Sequence, residues 1–351
     1  WIILILFFAL LVWGTFKITG IVWRIFSKDN VALREVDTIQ YKRDKKFFVH
    51  PLKTDIVICD QEKIYLYDSN GQEKWNIPEK IEQFMATESN DTLFCGDKKT
   101  GKVTALSSEG KILWAIDLGA PLIKLKSNDD DFLAVHIKCK PREKIVIVDL
   151  EGKTNGEIIL AKGEVLDFAI SKNGIIGISA IDTEDNMIHN HTAFYSLQGK
   201  LLGGNKGDEE IISNVFFDSK DNLIAIGTSN FCSSNKEGEL LWSKEIPGVA
   251  RKVIWAQQDW LAIGLSGYKN TILDPKNQNY IWFIDSKGIE LGRATIQGNV
   301  LGFDSVGNDL AAFTERTVYV FTKEGKQLVE KKISNDIQNA YLLPHGRLIL
   351  V

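Results

Sequence analysis

Cysteine is scarce in this sequence: Cys59, Cys95, Cys139 and Cys232 are the only four in 351 residues, and none stands at CxxC spacing from another. That excludes a zinc finger and leaves no disulfide framework. Three of the four end or follow apolar runs, DIVIC, TLFC and AVHIKC, where a thiol reads as a small buried or half-buried filler. Neither sign of charge dominates, with 42 Lys+Arg against 46 Asp+Glu and a pI near 5.9. The basic field that nucleic-acid binding needs is therefore missing. GxSxG, P-loop, HExxH and dinucleotide fingerprints are missing too.

Glycine, by contrast, is well supplied and regularly placed. Aligned on Gly71, Gly110, Gly152, Gly199, Gly238, Gly288 and Gly325, the chain yields seven copies, from IYLYDSNGQEKW to VYVFTKEGKQLV. Their spacing averages about 42 residues, the length of a four-stranded propeller blade. Three residues before each glycine stand Asp68, Ser107, Asp149, Ser196, Asn235, Asp285 and Thr322, side chains that hydrogen-bond their own turn backbone. Glycine then supplies the positive φ that closes the hairpin. Trp75, Trp114 and Trp242 follow four residues later, where a large ring can cover the seam between blades.

Two further apolar runs precede each turn, such as FFVHP and DIVIC or KVIWA and WLAIG. Each period thus offers about four short strands and no helix-length amphipathic segment. The expected fold is an all-β propeller over residues 46–351. IQNAYLL and RLILV at the C-terminus lack a following turn, and VALREVDTIQYK (31–42) precedes the first complete blade. Pairing them would close the ring and remove exposed edges, so eight blades are expected, with 29–45 as linker and ring-closing strand. Seven blades, with the terminal strands as extra edge cover, is the alternative.

One helix is expected ahead of the ring. WIILILFFALLVWGTF carries no charge over sixteen residues and makes about 24 Å of helix, short of the roughly 30 Å hydrocarbon core. KITGIVWRIF continues its apolar face, which gives a hydrophobic helix over 1–28. Trp1, Phe7, Phe8, Trp13, Phe16, Ile21 and Trp23 would face lipid or neighbouring helices. The expectation is a single-pass anchor in the cell membrane with the propeller outside the cytoplasm. The alternative is a pilus-like extracellular filament with the helix in its core, although Ile5 stands where pilin-like helices usually carry Glu.

DSNGQEKW and SSEGKILWAIDLG resemble the PQQ-type repeat of quinoprotein-like propellers, over about residues 46–343. With the apolar helix in front, the chain also resembles a group of membrane-anchored propeller proteins of Gram-positive-type bacteria. That resemblance implies an extracytoplasmic binding or scaffold role. Catalytic quinoproteins hold their quinone with a vicinal disulfide and a calcium site. Here no two cysteines are adjacent, and Gly156, Gly203, Gly292 and Val329 replace the turn tryptophan. No cofactor is expected.

The two longest repeats place their extra length between the second and third strands. SAIDTEDNMIHNH brings Asp182, Glu184, Asp185, His189 and His191, with both imidazoles on one face of a strand. SGYKNTILDPKNQNY brings Tyr268, Asn270, Asp274 and Tyr280, a mixture suited to partner contact. No third ligand at metal spacing accompanies the histidines, so no metal is expected. Lacking a convergent set of titratable groups, the chain reads as a non-enzymatic module for protein partners in the cell envelope, or for copies of itself.

Overall fold

The computed structural model describes residues 47–351 apart from 90, 129–131, 185–186, 208–209, 257–258 and 267–278. The helix expected over 1–28 and the strand expected over 29–45 lie outside the described residues. Within them, regular structure is all strand except a 3-10 turn at Pro344–Gly346.

The strands form seven four-stranded antiparallel meanders. Blade 1 runs Phe48–Leu52, Asp55–Cys59, Lys63–Tyr67 and Glu73–Pro78; blade 2, Phe84–Ser89, Thr92–Asp97, Lys102–Ser107 and Ile112–Asp117. Blade 3 comprises Leu122–Ser127, Phe132–Ile137, Lys144–Asp149 and Thr154–Ile159; blade 4, Glu164–Ile170, Ile176–Glu184, Met187–Tyr195 and Leu201–Gly207. Blade 5 is Asn214–Phe217, Leu223–Ile226, Asn230–Ser234 and Leu240–Glu245; blade 6, Val249–Ala256, Trp260–Ser266, Asn279–Asp285 and Glu290–Ile296. Blade 7 is Gly302–Val306, Asp309–Phe313, Thr317–Thr322 and Gln327–Lys332. First strands of neighbouring blades run closest together, which places them nearest the axis.

The chain is a β-propeller of seven complete blades, the alternative of the two expected counts. Ala340–Leu343 and Arg347–Leu350 pair only with each other among the described strands. This hairpin stands between blades 7 and 1. Leu342 N donates to Asp304 of blade 7 at 2.6 Å, and the Tyr341 hydroxyl donates to the Val49 carbonyl of blade 1 at 2.9 Å. The eight-blade reading needs residues 31–42 beside the hairpin, and they lie outside the described residues.

Apolar side chains gather at the seams between blades rather than in one central core. Leu93 and Cys95 face blade 1 while Phe94 between them faces blade 3, and all three are buried. A strand buried on both faces must read as an unbroken apolar run, which is why TLFC, DIVIC and WLAIG do not alternate. Equivalent clusters fill the seams from blades 3 and 4 through blades 6 and 7, and a smaller one lies under the terminal hairpin.

The seven glycines close the third turn of every blade. Each has φ between 76° and 88° and donates its N–H to the carbonyl three residues back. Asp68, Ser107, Asp149, Ser196, Asn235 and Asp285 each accept two backbone N–H bonds from their own turn. Thr322 Oγ1 makes no such bond.

A β-bulge follows each turn, and in blades 1 to 6 the residue four past the glycine then meets the next blade. Trp75 and Trp114 lie against Gly110 and Gly152 and donate to the Ser108 and Leu150 carbonyls at 2.9 and 2.7 Å. Where the sequence has glycine instead, the backbones themselves close up. A Cβ on Gly156 would sit 2.4 Å from the Leu197 carbonyl oxygen, and one on Gly292 would sit 2.0 Å from that of Glu324. Glycine and tryptophan are two solutions to one seam.

Candidate functional site

Blade 4 departs from its neighbours in the length of its second and third strands. Ile176–Glu184 and Met187–Tyr195 are nine residues each, against six in blades 2 and 3. Most of the segment read from sequence as a connection therefore belongs to two paired strands. Its flanking strands stop early: Glu164 pairs with Ile181, and Gly207 with Asn190. Beyond those points no other described strand pairs with the ribbon, and Met187 is 60% and Ile188 55% exposed.

The register sets Asp182 opposite His189 and Ala180 opposite His191. Alternation puts Asp182, His189 and His191 on one face, as the HxH spacing implied for the two histidines. His191 Nε2 lies 3.1 Å from Asp182 Oδ2. The approach of His191 and the nearby His189 and Lys162 charges hold the Asp182 carboxyl below the usual range, against a smaller opposing effect of burial. Glu184 ends its strand, and Asp185 lies outside the described residues. No group of three or more His, Cys, Asp or Glu among the described residues is arranged to hold a metal ion.

Beneath that face lies a cleft of about 300 Å³ between blade 4 and the segment 160–162 that joins it to blade 3. Leu160, Ala161, Ile178, Ala180, Ala193 and Tyr195 give it apolar walls, and Lys162, Asp182 and His191 stand among its polar groups. The volume suits one large side chain or a small ligand. Asp182 Oδ1 is buried and makes no hydrogen bond among the described residues.

A second charged group was not foreseen from the sequence. Asp167, on the first strand of blade 4, is 1% exposed and accepts from Lys124 at 2.5 Å, Lys126 at 3.1 Å and the Val215 N–H at 3.0 Å. One carboxylate thus joins blades 3, 4 and 5 near the axis. Lys126 Nζ lies 5.6 Å from the Phe168 and Phe216 ring centroids, and Phe216 stacks on Trp255 of blade 6 at 6.1 Å. Burial lowers the Lys126 ammonium to about 8, with Asp167 opposing that shift. The signal was present as lysines alternating through LIKLKS, on an inner strand where apolar side chains are the rule.

Of the second insertion, Tyr268, Asn270 and Asp274 lie outside the described residues. Tyr280 is corrected from a partner contact to a seam residue. It is 6% exposed, and its hydroxyl donates to the Pro247 carbonyl at 3.3 Å. Period-two alternation turns it into the apolar cluster between blades 5 and 6. Trp1, Phe7, Phe8, Trp13, Phe16, Ile21 and Trp23 also lie outside the described residues. No described helix is long and apolar enough to cross a membrane.

Similar solved structures agree with the propeller class. BamB from Moraxella catarrhalis matches with a TM-score of 0.58 at 14% identity, over 91% of this chain and 94% of that one. Apo AztD from Citrobacter koseri matches at 0.58 and 11%, over 90% and 91%. The Neurospora crassa Pan2 WD40 domain matches at 0.52 and 10%, over 76% and 84%. At these identities the likeness shows the fold alone. None of the curated proteins matches the chain in sequence. The chain belongs to the family of unknown function DUF5711, which it matches over residues 29–351.

Proposed function

We propose that this chain is a non-enzymatic binding propeller, tethered to the cell membrane by residues 1–28, which presents blade 4 to protein partners outside the cytoplasm. The observation that carries the docking role is the end of the blade 4 ribbon, with which no other described strand pairs. Exposed Met187 and Ile188 stand there, Met187 on the face of the ribbon that carries the cleft and Ile188 on the other. Apolar residues at an unpaired ribbon end, next to a concave surface, are the ingredients of a protein contact. The axis offers less, because Asp167 there is already engaged by both Lys124 and Lys126. Tethering rests on the uncharged opening segment of the sequence and on the likeness to membrane-anchored propellers. The filament reading rests on that segment alone.

A photo-crosslinking amino acid at position 188 in intact cells tests the docking role. Discrete adducts with envelope proteins, absent when the same group replaces exposed Gln327 on blade 7, are expected. The absence of discrete adducts at 188, or the same adducts from both positions, contradicts it.

A further inference from the structure

We infer that residues 31–42 of the same chain fill the outer half of the place between blades 7 and 1, lying extended beyond the terminal hairpin. This stands without the docking role proposed above. Joined to the proposed tether, it fixes where the anchor leaves the ring and which blade lies farthest from it.

The place has the walls of a four-stranded blade. Ala340–Leu343 runs beside the first two strands of blade 7, Gly302–Val306 and Asp309–Phe313, as the first strand of a blade does. Arg347–Leu350 pairs with it and with no other described strand. The walls reach further out than these two strands. On blade 7, Val318 packs against the hairpin, and Val320 with its register partner Val329 extends the same face onto the third and fourth strands. Val320 is 8% and Val329 6% exposed, the burial of a covered wall rather than of a rim. On blade 1, Ile64 and Leu66 turn into the seam with blade 2. Tyr65 and Tyr67 therefore turn the other way, half-buried and stacked with ring centroids 6.1 Å apart.

Reach and composition point to residues 31–42. Six Cα steps join Lys42 to Phe48, at most about 20 Å of extended chain. From the first strand of blade 1 to the rim of the adjoining place is three strand spacings and one intersheet spacing, about 17 Å. The segment can therefore cover that rim and cannot cross the ring. VALREVDTIQYK mixes the strand formers Val, Ile, Thr and Tyr with Arg34, Glu35, Asp37 and Lys42. The fourth strands EKWNIP, LLWSKE and QLVEKK, which form the rims of their blades, have the same mixture. Charges on an outermost strand also discourage pairing with other chains. The family match takes in this segment and leaves out the uncharged opening run.

Seven blades and the hairpin make eight places around the ring. Blade 4 stands four places from the hairpin in either direction. An anchor that ends at residue 28 and joins the ring at that rim sets the blade 4 ribbon on the opposite side of the propeller.

Hydrogen exchange read by mass spectrometry, with the full chain in detergent, tests this. In monomeric protein, amides of 31–42 should exchange at least about 100-fold more slowly than unstructured chain. Val329→Asp, which puts a charge on the wall, should remove at least about tenfold of that protection while blades 3 to 5 keep theirs. Exchange of 31–42 at the unstructured rate, or protection unmoved by Val329→Asp, overturns the inference. Protection found only in dimers assigns the segment to a second copy and overturns it too. Replacing 31–42 by a Gly-Ser segment of equal length touches no buried residue of blade 7. Exchange in Thr317–Thr322, Gln327–Lys332 and Arg347–Leu350 should then rise while blades 3 to 5 hold, and unchanged exchange in those strands contradicts the assignment. Protection of 31–42 without crosslinks from position 188 would leave the closure standing and remove the docking role. Crosslinks with 31–42 exchanging freely would do the reverse.

Discussion

The ring of Trp75 occupies the space that a side chain on Gly110 would need: a Cβ there would lie 2.7 Å from Trp75 Cδ2. Gly110 also has φ of 79°, so an L side chain is opposed by its neighbour and by its own backbone. Gly110→Ala should therefore cost about 2 kcal/mol or more. Trp114→Ala, which empties the next seam and orphans the Leu150 carbonyl, should cost about 3 kcal/mol. Urea unfolding monitored by circular dichroism checks both; losses under about 0.5 kcal/mol would mean that the seams do not hold the blades.

Asp167 and Lys126 should not be equivalent when removed. Asp167→Asn leaves two lysines near the axis without a counter-charge, at about 3–5 kcal/mol. Lys126→Met leaves Asp167 paired with Lys124 at 2.5 Å and keeps an unbranched side chain between Phe168 and Phe216, so it should change stability by less than about 1.5 kcal/mol. Chemical denaturation of the two variants, side by side, decides the order.

Two buried groups near the closure should titrate with opposite signs. Burial raises Asp304 to about 6, so the folded state binds its proton more tightly. That contribution is full below pH about 4 and is lost as pH rises through 6, with a ceiling of about 3 kcal/mol. Burial lowers His50 to about 4, so stability falls as pH drops from 6.5 toward 4. Asp304→Asn keeps an acceptor for Leu342 N and should be more stable than wild type at pH 7, with the advantage gone at pH 4. His50→Gln should match wild type at pH 7.5 and exceed it at pH 4.5. Melting temperature against pH checks both, and parallel curves for all three proteins would contradict the assignment.

Ring closure offers a local test. Tyr341→Phe removes only the hydroxyl bond to Val49 and should cost about 1 kcal/mol. Deleting residues 338–351 also uncovers Phe313 and Val318 and should cost several times more. Hydrogen exchange in blade 1 should rise in the truncated chain; unchanged exchange there would place closure elsewhere.

The repeat and its turn chemistry were legible because glycine at positive φ and an Asx or Ser turn are local requirements, visible in DSNGQEKW and SSEGKILW alike. The blade count was less legible, since closure joins Tyr341 to Val49 across the whole ring and leaves no local signature. Glycines at 156, 203 and 292 looked like a lost tryptophan; only the seam reveals backbone packed on backbone. On the ribbon, period-two spacing put His189 and His191 on one face, and the register adds Asp182 to it. Tyr280 was misread because aromatic and polar residues near an insertion resemble a contact surface, while alternation buries it. The cleft depends on the 160–162 connection meeting two strands of blade 4, so no single segment announced it.

The most direct test replaces residues 181–190 of the ribbon by an Asn-Gly turn of the kind that closes short hairpins. Partners are then captured by in-cell crosslinking from a lysine-reactive reagent, with the melting temperature as control. The account predicts a propeller melting within about 5 °C of wild type that has lost the partners wild type captures. Capture of the same partners at the same yield by the shortened, folded chain would contradict it.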